Sequence, residues 1–245
     1  MKILLLDIET SPNVAHVWGL WQQNVGTNQL LEASEVMCWA AKWYGEKDVA
    51  FMSNKDNTHK EMLAGIYDLI CVADVVVHYN GKKFDMPTLN KEFLLQGWPP
   101  PAPYKQIDLL RVVRSNFKFP SNKLDYVAQR LKVGKKTSHE GHELWVKCMN
   151  KDPQAWKKME RYNKQDVKLL EKVYNALLPW IKSHPNHNLY IDDGHVCTNC
   201  GSSHLIKRGF NRTIGGVYQR FQCTDCGSWS QGTKSSKSVQ VKGIA

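Results

Sequence analysis

The 245-residue sequence has no apolar run of the roughly 20 residues needed to cross a lipid bilayer. A secretory signal pattern is also missing, because acidic residues follow directly after a short apolar run, Ile3 to Leu6. The seven cysteines are an odd number, and only four of them stand in Cys-x-x-Cys pairs, which argues against a disulfide framework. The absence of these features predicts a protein of a reducing compartment, which we expect to be the cytoplasm of a bacterial or phage-infected cell.

Acidic residues are scarce relative to basic ones. Lys and Arg number 33 against 23 Asp and Glu, which gives a formal net charge of +10. Such a balance favours a polyanionic partner such as nucleic acid, although surplus charge can also serve solubility alone. The length allows one full-sized core and a small appendage.

The hydrophobic pattern divides the chain into two parts. Residues 1–182 are predicted to be mixed α/β, residues 183–194 a linker, residues 195–231 a small β-rich module, and residues 232–245 a flexible tail. Strands are predicted over residues 2–7, 36–44, 49–52 and a short run that ends at Asn80. Helices are predicted over residues 59–72, 86–96, 106–117, 123–131 and 153–182.

The first strand ends in two carboxylates, Asp7 and Glu9, in "LLLDIET". Side chains alternate along a strand, so both acids point to one face while Leu6 and Ile8 point to the other. Like charges placed side by side repel, and burying them without a partner is costly. The pair therefore predicts a positive group, such as a metal ion, between them.

Two further motifs carry acids. Asp85 follows a strand in "HYNGKKFDMP", where a helix N-cap is the alternative interpretation. Tyr162 and Asp166 lie four residues apart in "YNKQD" and so share one helix face, where an ordinary surface pairing is the alternative. Each motif alone is weak evidence for a site.

In this order and at these separations, the three motifs resemble those of the DEDD-type 3′–5′ exonucleases, and in particular the proofreading exonuclease domains of B-family DNA polymerases. The resemblance covers most of residues 1–180 and implies an RNase H-like fold with two catalytic divalent ions, Mg²⁺ or Mn²⁺. It implies that four carboxylates hold the metals: Asp7, Glu9, Asp85 and Asp166. Asp7 would bridge both ions, and Tyr162 would orient the attacking water.

The third motif also indicates a subclass. In the histidine variant of this family the base lies five residues before the last aspartate, and that position is Arg161 here. Tyr162, four residues before Asp166, matches the tyrosine variant. His139 and His142 lie too far from Asp166 in sequence for that motif and are predicted to be loop residues.

Several residues are candidates for nucleic-acid contacts. Between Lys105 and Lys136 the sequence has nine Lys and Arg against two acids, with Phe117 in the middle, as in surfaces that bind single strands. The alternative is a solvated helix face with core phenylalanines. Trp18 and Trp21 are predicted to be core residues. The remaining candidates are Asn80, Lys82, Lys83, Arg208 and Arg212.

The C-terminal module contains "CTNC" and "CTDC", separated by the 22 residues from Gly201 to Gln222. Two Cys-x-x-Cys pairs at about this spacing predict a Cys₄ zinc ribbon, because thiolates select Zn²⁺ and four of them complete its tetrahedron. The predicted ligands of this structural ion are Cys197, Cys200, Cys223 and Cys226. A basic ribbon of this kind serves either to bind nucleic acid, to dock a protein partner, or as a staple.

The leading hypothesis from the sequence is a two-metal 3′–5′ exonuclease that acts on single-stranded DNA, in DNA repair or end processing, with a zinc ribbon that aids nucleic-acid binding. One alternative is a 3′–5′ exoribonuclease, since the motifs do not read the sugar. Others are a structure-specific endonuclease and, from a different class, a nucleic-acid-binding module without turnover.

Overall fold

The structure, a computed structural model, describes residues 1–138, 140–191 and 194–240. They form two compact units. The first contains residues 2–111 and 119–173, and the second contains residues 112–118 and residue 174 onward, together with Met1. The predicted domain boundaries at residues 182 and 195 both fall within the second unit. In the described part of the chain, no helix is both long and apolar enough to span a membrane.

A five-stranded sheet forms the centre of the first unit, and a two-stranded ribbon lies apart from it. The strands are, in chain order, β1 (Ile3–Thr10), β2 (Val14–Ala15), β3 (Leu30–Glu32), β4 (Val36–Trp43), β5 (Ala50–Ser53), β6 (Val75–His78) and β7 (Lys105–Asp108). The sheet order is β5–β4–β1–β6–β7, with β2 and β3 paired in the ribbon. Because β1 runs antiparallel to β4 and parallel to β6, the sheet is mixed. The predicted mixed α/β fold class is confirmed.

Helices lie between and after the strands. They are α1 (His59–Cys71), α2 (Asp85–Leu95), α3 (Leu109–Asn116), α4 (Leu124–Arg130), α5 (His142–Met149) and α6 (Pro153–Leu177). The start of α1 is fixed by a capping box, in which the Thr58 hydroxyl accepts from Glu61 N–H and the Glu61 carboxylate accepts from Thr58 N–H. Asp85, the first residue of α2, places a negative charge at the positive end of the helix dipole.

Strand β1 separates two cores. Leu4, Leu6 and Ile8 are buried in an apolar cluster that includes residues of α1 and α2. A second cluster, on the other side of the sheet, combines β4 with α5 and α6. Each buried leucine contributes about 1.5–3 kcal/mol, so a one-residue slip of β1 would forfeit this burial and turn two carboxylates into the first core. The alternation thus fixes which face carries Asp7 and Glu9.

Several observed elements of residues 1–182 differ from the predicted ones. Residues 106–108, predicted to begin a helix, belong to strand β7 instead, because parallel pairing with β6 satisfies their backbone groups. The ribbon of β2 and β3 and the helix α5 had no counterpart in the prediction, and His142 is the first residue of α5 rather than a loop residue. His139 lies outside the described residues. Helix α6 ends at Leu177 rather than residue 182, because Pro179 in the following 3₁₀ turn lacks an N–H to continue it.

The second unit contains an antiparallel three-stranded sheet, the C-terminal sheet. Its strands are β8 (Leu205–Arg212), β9 (Gly216–Cys223) and β10 (Trp229–Ser238), in the order β10–β9–β8. Residues 232–238, which the sequence predicts to be flexible, lie in β10 because their backbone pairs with the open edge of β9. Residues 192 and 193 of the predicted linker and residues 241–245 of the predicted tail lie outside the described residues.

Candidate functional site

Three carboxylates converge on one side of the central sheet. Asp7 and Glu9 project from the same face of β1, and Asp166 projects from α6. One oxygen from each of the three lies within 4.8 Å of the others. The structure therefore assembles residues that are more than 150 positions apart into one cluster, which we call the carboxylate cluster.

Asp85 lies beside this cluster. Its Oδ1 accepts a hydrogen bond from the backbone N–H of Ile8, 3.2 Å away, on the strand that carries Asp7 and Glu9. Its charge also raises the pKa of both these residues. All four acids that the sequence singles out thus come together, with three in tight contact and Asp85 anchored to the β1 backbone.

The cluster is electrostatically strained. The protein closely surrounds Asp7 and Glu9, although both retain some solvent exposure, and this desolvation raises the pKa of Asp7 well above its ordinary value, with Glu9 adding to the effect. Desolvation likewise raises the pKa of Glu9 to about 8 and that of Asp85 to about 7. Carboxylates held in this way favour a cation in their midst.

A lysine supplies part of the missing positive charge. Lys136 Nζ lies 2.6 Å from Asp166 Oδ2 and donates to Tyr162 Oη at 3.1 Å. Burial disfavours its charge, but the neighbouring Asp166, Tyr162 and Asp7 raise its pKa, so it stays protonated. Asp125 at the start of α4 holds the loop in place by accepting from Lys136 N–H at 2.7 Å. The sequence placed Lys136 only in a basic stretch, because nothing in its spacing connects a loop residue to the motifs.

Tyr162 is buried against the same group of residues. Its ring packs edge-on against Trp145, 6.1 Å between centroids, and the side chain of Trp145 also hydrogen-bonds Glu9. Burial raises the pKa of the Tyr162 hydroxyl, and the charges of Asp166 and Glu9 raise it further. The hydroxyl therefore stays protonated and can act as a hydrogen-bond donor rather than as a base.

Asn163 contacts the carboxylate cluster and was missed by the sequence reasoning. It is fully buried, and its Nδ2 donates to Asp7 Oδ2 at 2.7 Å and to the Asp7 backbone oxygen at 3.3 Å. Its spacing of three residues from Asp166 puts both on one face of α6, and this helical spacing was the available signal. The contact fixes the orientation of the Asp7 carboxylate.

The donors of the carboxylate cluster fit a hard divalent cation. Carboxylate oxygens are the ligands that Mg²⁺ and Mn²⁺ prefer, and a divalent ion would offset the repulsion between the three acids. Asp7, Glu9 and Asp166 are the residues close enough to share one ion.

The second unit contains a cluster of four cysteines. Cys197 Sγ lies 3.6 Å from Cys226 Sγ, Cys200 Sγ lies 3.7 Å from Cys223 Sγ, and all four sulfurs fall within 4.8 Å of one another. These distances are far longer than a disulfide bond. A zinc ion with Zn–S bonds of about 2.3 Å would hold its sulfurs about 3.8 Å apart, so the spacing fits a tetrahedral Zn²⁺ site.

Each of the two cysteine pairs ends in a backbone turn of the same kind. Gly201 and Gly227 follow the second cysteine of each pair with φ of +75° and +79°, a conformation that favours glycine. Burial opposes ionisation of Cys223, but hydrogen bonds from the backbone N–H groups of Cys226 and Asp225 outweigh it and lower its pKa to about 7. The turn after Cys223 therefore favours its thiolate, the form that binds metal. Burial instead raises the pKa of Cys197 and Cys200 in the metal-free protein.

Comparison with known families is consistent with this geometry. Residues 33–178, more than half of the chain, match the RNase_H_2 family of the RNase_H superfamily. The chain belongs to the RNase_H superfamily. The match begins after β1, so it contains Asp85, Tyr162 and Asp166 but not Asp7 and Glu9. No curated protein sequence matches the chain.

A solved structure shares the fold of this RNase_H-superfamily chain. The family B DNA polymerase from the hyperthermophilic archaeon Pyrobaculum calidifontis superposes with a TM-score of 0.56 at 20% sequence identity. The similarity covers 73% of this chain and 24% of the polymerase, so the chain corresponds to about a quarter of that enzyme. At this identity the likeness supports the fold alone.

In this RNase_H-superfamily domain the predicted nucleic-acid residues are scattered. Asn80 lies two residues after β6 with a φ of +70°, and its N–H donates to Asp108 Oδ1 at 2.9 Å. Lys82 and Lys83 are exposed in the turn before Asp85. The nine cations between residues 105 and 136 spread over β7, α3, α4 and their connections, so they do not form one helix face.

The aromatic residues singled out in the sequence lie in different environments. Phe117 in the second unit is half-buried, with its ring edge-on to Trp180 at 4.9 Å. Trp18 and Trp21, predicted to be core residues, are 98% and 84% exposed in the connection between β2 and β3. The prediction failed because the flanking strands β2 and β3 form only a two-stranded ribbon. The ribbon has no core in which the two tryptophan side chains could be buried. Arg208 and Arg212 are exposed on β8.

Proposed function

We propose that this chain is a metal-dependent 3′–5′ exonuclease that releases nucleotides from single-stranded DNA. The observation that carries the proposal is the carboxylate cluster of Asp7, Glu9 and Asp166, with Tyr162 beside it. Membership of the RNase_H superfamily supports phosphodiester hydrolysis. The 3′–5′ direction rests on the resemblance of the three motifs to proofreading exonucleases.

The chain's own residues position the reacting groups. Asn163 holds the Asp7 carboxylate in one orientation, and the Ile8 N–H holds Asp85. The protonated Tyr162 hydroxyl can donate to the attacking water or to a phosphate oxygen. Lys136 places a fixed positive charge beside acids that would otherwise repel an anionic phosphodiester.

The proposed cofactors are two Mg²⁺ or Mn²⁺ ions held by Asp7, Glu9, Asp85 and Asp166. Ions held there would supply activation of a water and stabilisation of the leaving 3′-oxygen during in-line displacement. The position of Tyr162, four residues before Asp166, supports the tyrosine subclass, because Arg161 occupies the position that a histidine base would need.

The proposed role of the cysteine cluster is a structural zinc ribbon. Four thiolates complete the tetrahedron of Zn²⁺ and leave no open position for chemistry. The basic residues of the ribbon, Arg208 and Arg212 among them, aid binding of the nucleic-acid substrate.

The test is hydrolysis of a 5′-labelled single DNA strand in Mg²⁺ by wild-type protein and by Asp7→Ala. We expect a ladder that shortens from the 3′ end with wild-type protein, and at least about a 10³-fold loss of rate in the variant, since about 4 kcal/mol of transition-state stabilisation would be removed. Asp48→Ala, an exposed acid between β4 and β5, is the matched control and should hydrolyse at the wild-type rate. Equal rates for Asp7→Ala and wild type would overturn the proposal.

The same assay separates the other candidate activities. Faster digestion of a matched RNA strand would identify an exoribonuclease, and cutting of a circular single strand would identify an endonuclease. Binding without any hydrolysis in Mn²⁺ would indicate a nucleic-acid-binding module.

A further inference from the structure

One face of the C-terminal sheet combines aromatic, cationic and amide side chains. Residues paired across neighbouring strands share a face. Gln222 of β9 pairs with Ile206 of β8 and Trp229 of β10, and Arg220 and Tyr218 continue this face along β9. Arg220 pairs with Gln231 of β10, and Tyr218 pairs with Asn211 of β8 beyond an irregularity in the β8 register. We call this surface the Trp229 face; its members are Ile206, Asn211, Tyr218, Arg220, Gln222, Trp229 and Gln231.

Part of the opposite face of the sheet is covered within the same unit, although Phe210 on that face is exposed. Leu205 and Phe221 lie there, and the ring of His195 packs edge-on against Phe221, 5.5 Å between centroids. A cavity of about 360 Å³ separates the segment around Asn188 from these residues. The Trp229 face, in contrast, is exposed: Trp229 keeps 52% of its surface accessible and Ile206 keeps 37%.

The side chains of the Trp229 face are held in place before any ligand arrives. The Arg220 guanidinium lies over the Trp229 ring, with Cζ 5.3 Å from the ring centroid, while its Nε donates to the backbone oxygen of Arg208 at 3.2 Å. Asn211 Nδ2 donates to Gln231 Oε1 at 2.7 Å across the middle strand. Ordered side chains lose less conformational entropy on binding than mobile ones.

The charge of the C-terminal sheet points to the class of ligand. From residue 205 to residue 238 the chain has six basic residues and one acid, Asp225. Arg220 lies on the Trp229 face, and strand pairing places Lys207, Arg212 and Lys237 on the opposite face of the same sheet. The other two basic residues are Arg208 and Lys234. Cations beside an exposed aromatic ring are the features that bind single strands, because phosphates meet the cations while a base stacks on the ring. A duplex hides the faces of its bases within the stack and cannot use the ring in this way.

We propose that the Trp229 face is a binding platform for single-stranded nucleic acid, on which a base stacks on Trp229 beside the Arg220 guanidinium. The proposal rests on the proposed function for its choice of nucleic acid as ligand. The platform proposal goes beyond the proposed exonuclease function because it names the residue on which a base stacks and predicts tighter binding of single strands than of duplex.

The test measures binding of fluorescein-labelled oligothymidine, by fluorescence anisotropy, to the full zinc-loaded chain that carries Asp7→Ala, so that the strand is not degraded. Adding Trp229→Ala should weaken binding about tenfold, the effect of losing one base stack. Trp229→Phe keeps an aromatic face and should lose clearly less. Ile214→Ala, a matched control in the turn between β8 and β9 and outside the Trp229 face, should bind like its parent; Ile214 is 80% exposed.

Zinc stoichiometry, measured for every variant, confirms that the sheet is formed. Unchanged affinity in Trp229→Ala would overturn the platform, and so would an equal loss in Ile214→Ala. Tighter binding of a matched duplex or of an acidic peptide than of the single strand would overturn it as well.

The outcome is separable from the nuclease proposal because this assay needs no turnover. If Trp229→Ala weakens binding while wild-type protein hydrolyses no strand, the platform stands and the nuclease assignment fails. If hydrolysis depends on Asp7 but Trp229→Ala binds normally, the nuclease assignment stands and the platform fails.

Discussion

The carboxylate cluster and the cysteine cluster are both suited to metal ions, yet the chain builds them in opposite ways. The carboxylate cluster draws on β1 and α6, more than 150 residues apart, and the five-stranded sheet with its two cores holds these elements in place. The cysteine cluster draws on two short turns within 30 positions, beside a small sheet whose faces are largely polar. In the first case the fold makes the site. In the second we expect the metal to make the fold.

The largest expected effect follows from this difference. Structural zinc contributes about 10–16 kcal/mol in small zinc domains, so Cys226→Ser should unfold the C-terminal sheet while the five-stranded sheet stays folded. Limited proteolysis should then cut after basic residues of β8 and β9 but spare those of β1 to β6. Cys71→Ser, a cysteine outside the cluster, is the control and should resist proteolysis there. Cooperative unfolding of the whole chain in Cys226→Ser would contradict the view that zinc stabilises only the C-terminal sheet.

The next effect concerns the carboxylate cluster. Burial already raises the pKa of Glu9 to about 8, so at neutral pH the metal-free fold favours the uncharged form, which glutamine mimics. Glu9→Gln should therefore keep the free energy of unfolding within about 0.5 kcal/mol. Hydrolysis should fall at least about 10³-fold, which corresponds to about 4 kcal/mol. Chemical denaturation and rate measurements on one preparation test both halves, with Glu46→Gln in an exposed turn as the control. A large loss of stability would show that the charged acid supports the fold.

A third effect is a pH dependence of stability. Raised carboxyl pKa values mean that the folded metal-free protein binds more protons than the unfolded chain between about pH 4.5 and pH 8, so stability should fall as pH rises through this window. Mn²⁺ at about 100 times its Kd should raise the free energy of unfolding by about 2.7 kcal/mol, or the melting temperature by about 5–10 °C. The increase should be largest at the upper end of this pH window. Thermal denaturation with and without Mn²⁺ measures this, and Glu9→Gln should flatten the slope. A metal effect independent of pH would argue against binding at these acids.

The smallest effect contrasts the surroundings of the two clusters. Asn163 orients Asp7 from a buried position, and removing such a supporting contact typically lowers metal affinity or activity 10–100-fold, so we expect this loss in Asn163→Ala. The ion pair of His204 with Asp225 beside the cysteines is exposed, so His204→Ala should leave zinc affinity unchanged. Metal titrations of both variants provide the comparison. A large effect of His204 would mean that the cysteine site also depends on its neighbours.

Sequence reasoning identified the members of both clusters, because residue type and spacing were enough to single them out. Asp7 and Glu9 alternate on a strand, Tyr162 and Asp166 share a helix face, and the cysteines come in pairs. It did not reach Lys136, because a loop residue carries no periodicity that shows what it will touch. It also misassigned β7 and residues 232–238, whose strand pairing depends on partners elsewhere in the chain. Trp18 and Trp21 show the same limit, since an apolar side chain is buried only where the fold provides a core.

The position of Lys136 has a consequence for ion selectivity. Its ammonium group brings one unit of positive charge to within 2.6 Å of Asp166. A sodium or potassium ion entering the cluster would carry no more charge than the lysine already provides, so it would gain little over the resident group. A divalent ion doubles the charge and can compete for the same oxygens. A tethered lysine can in this way make a carboxylate site discriminate by valence in a cell where monovalent ions are in large excess.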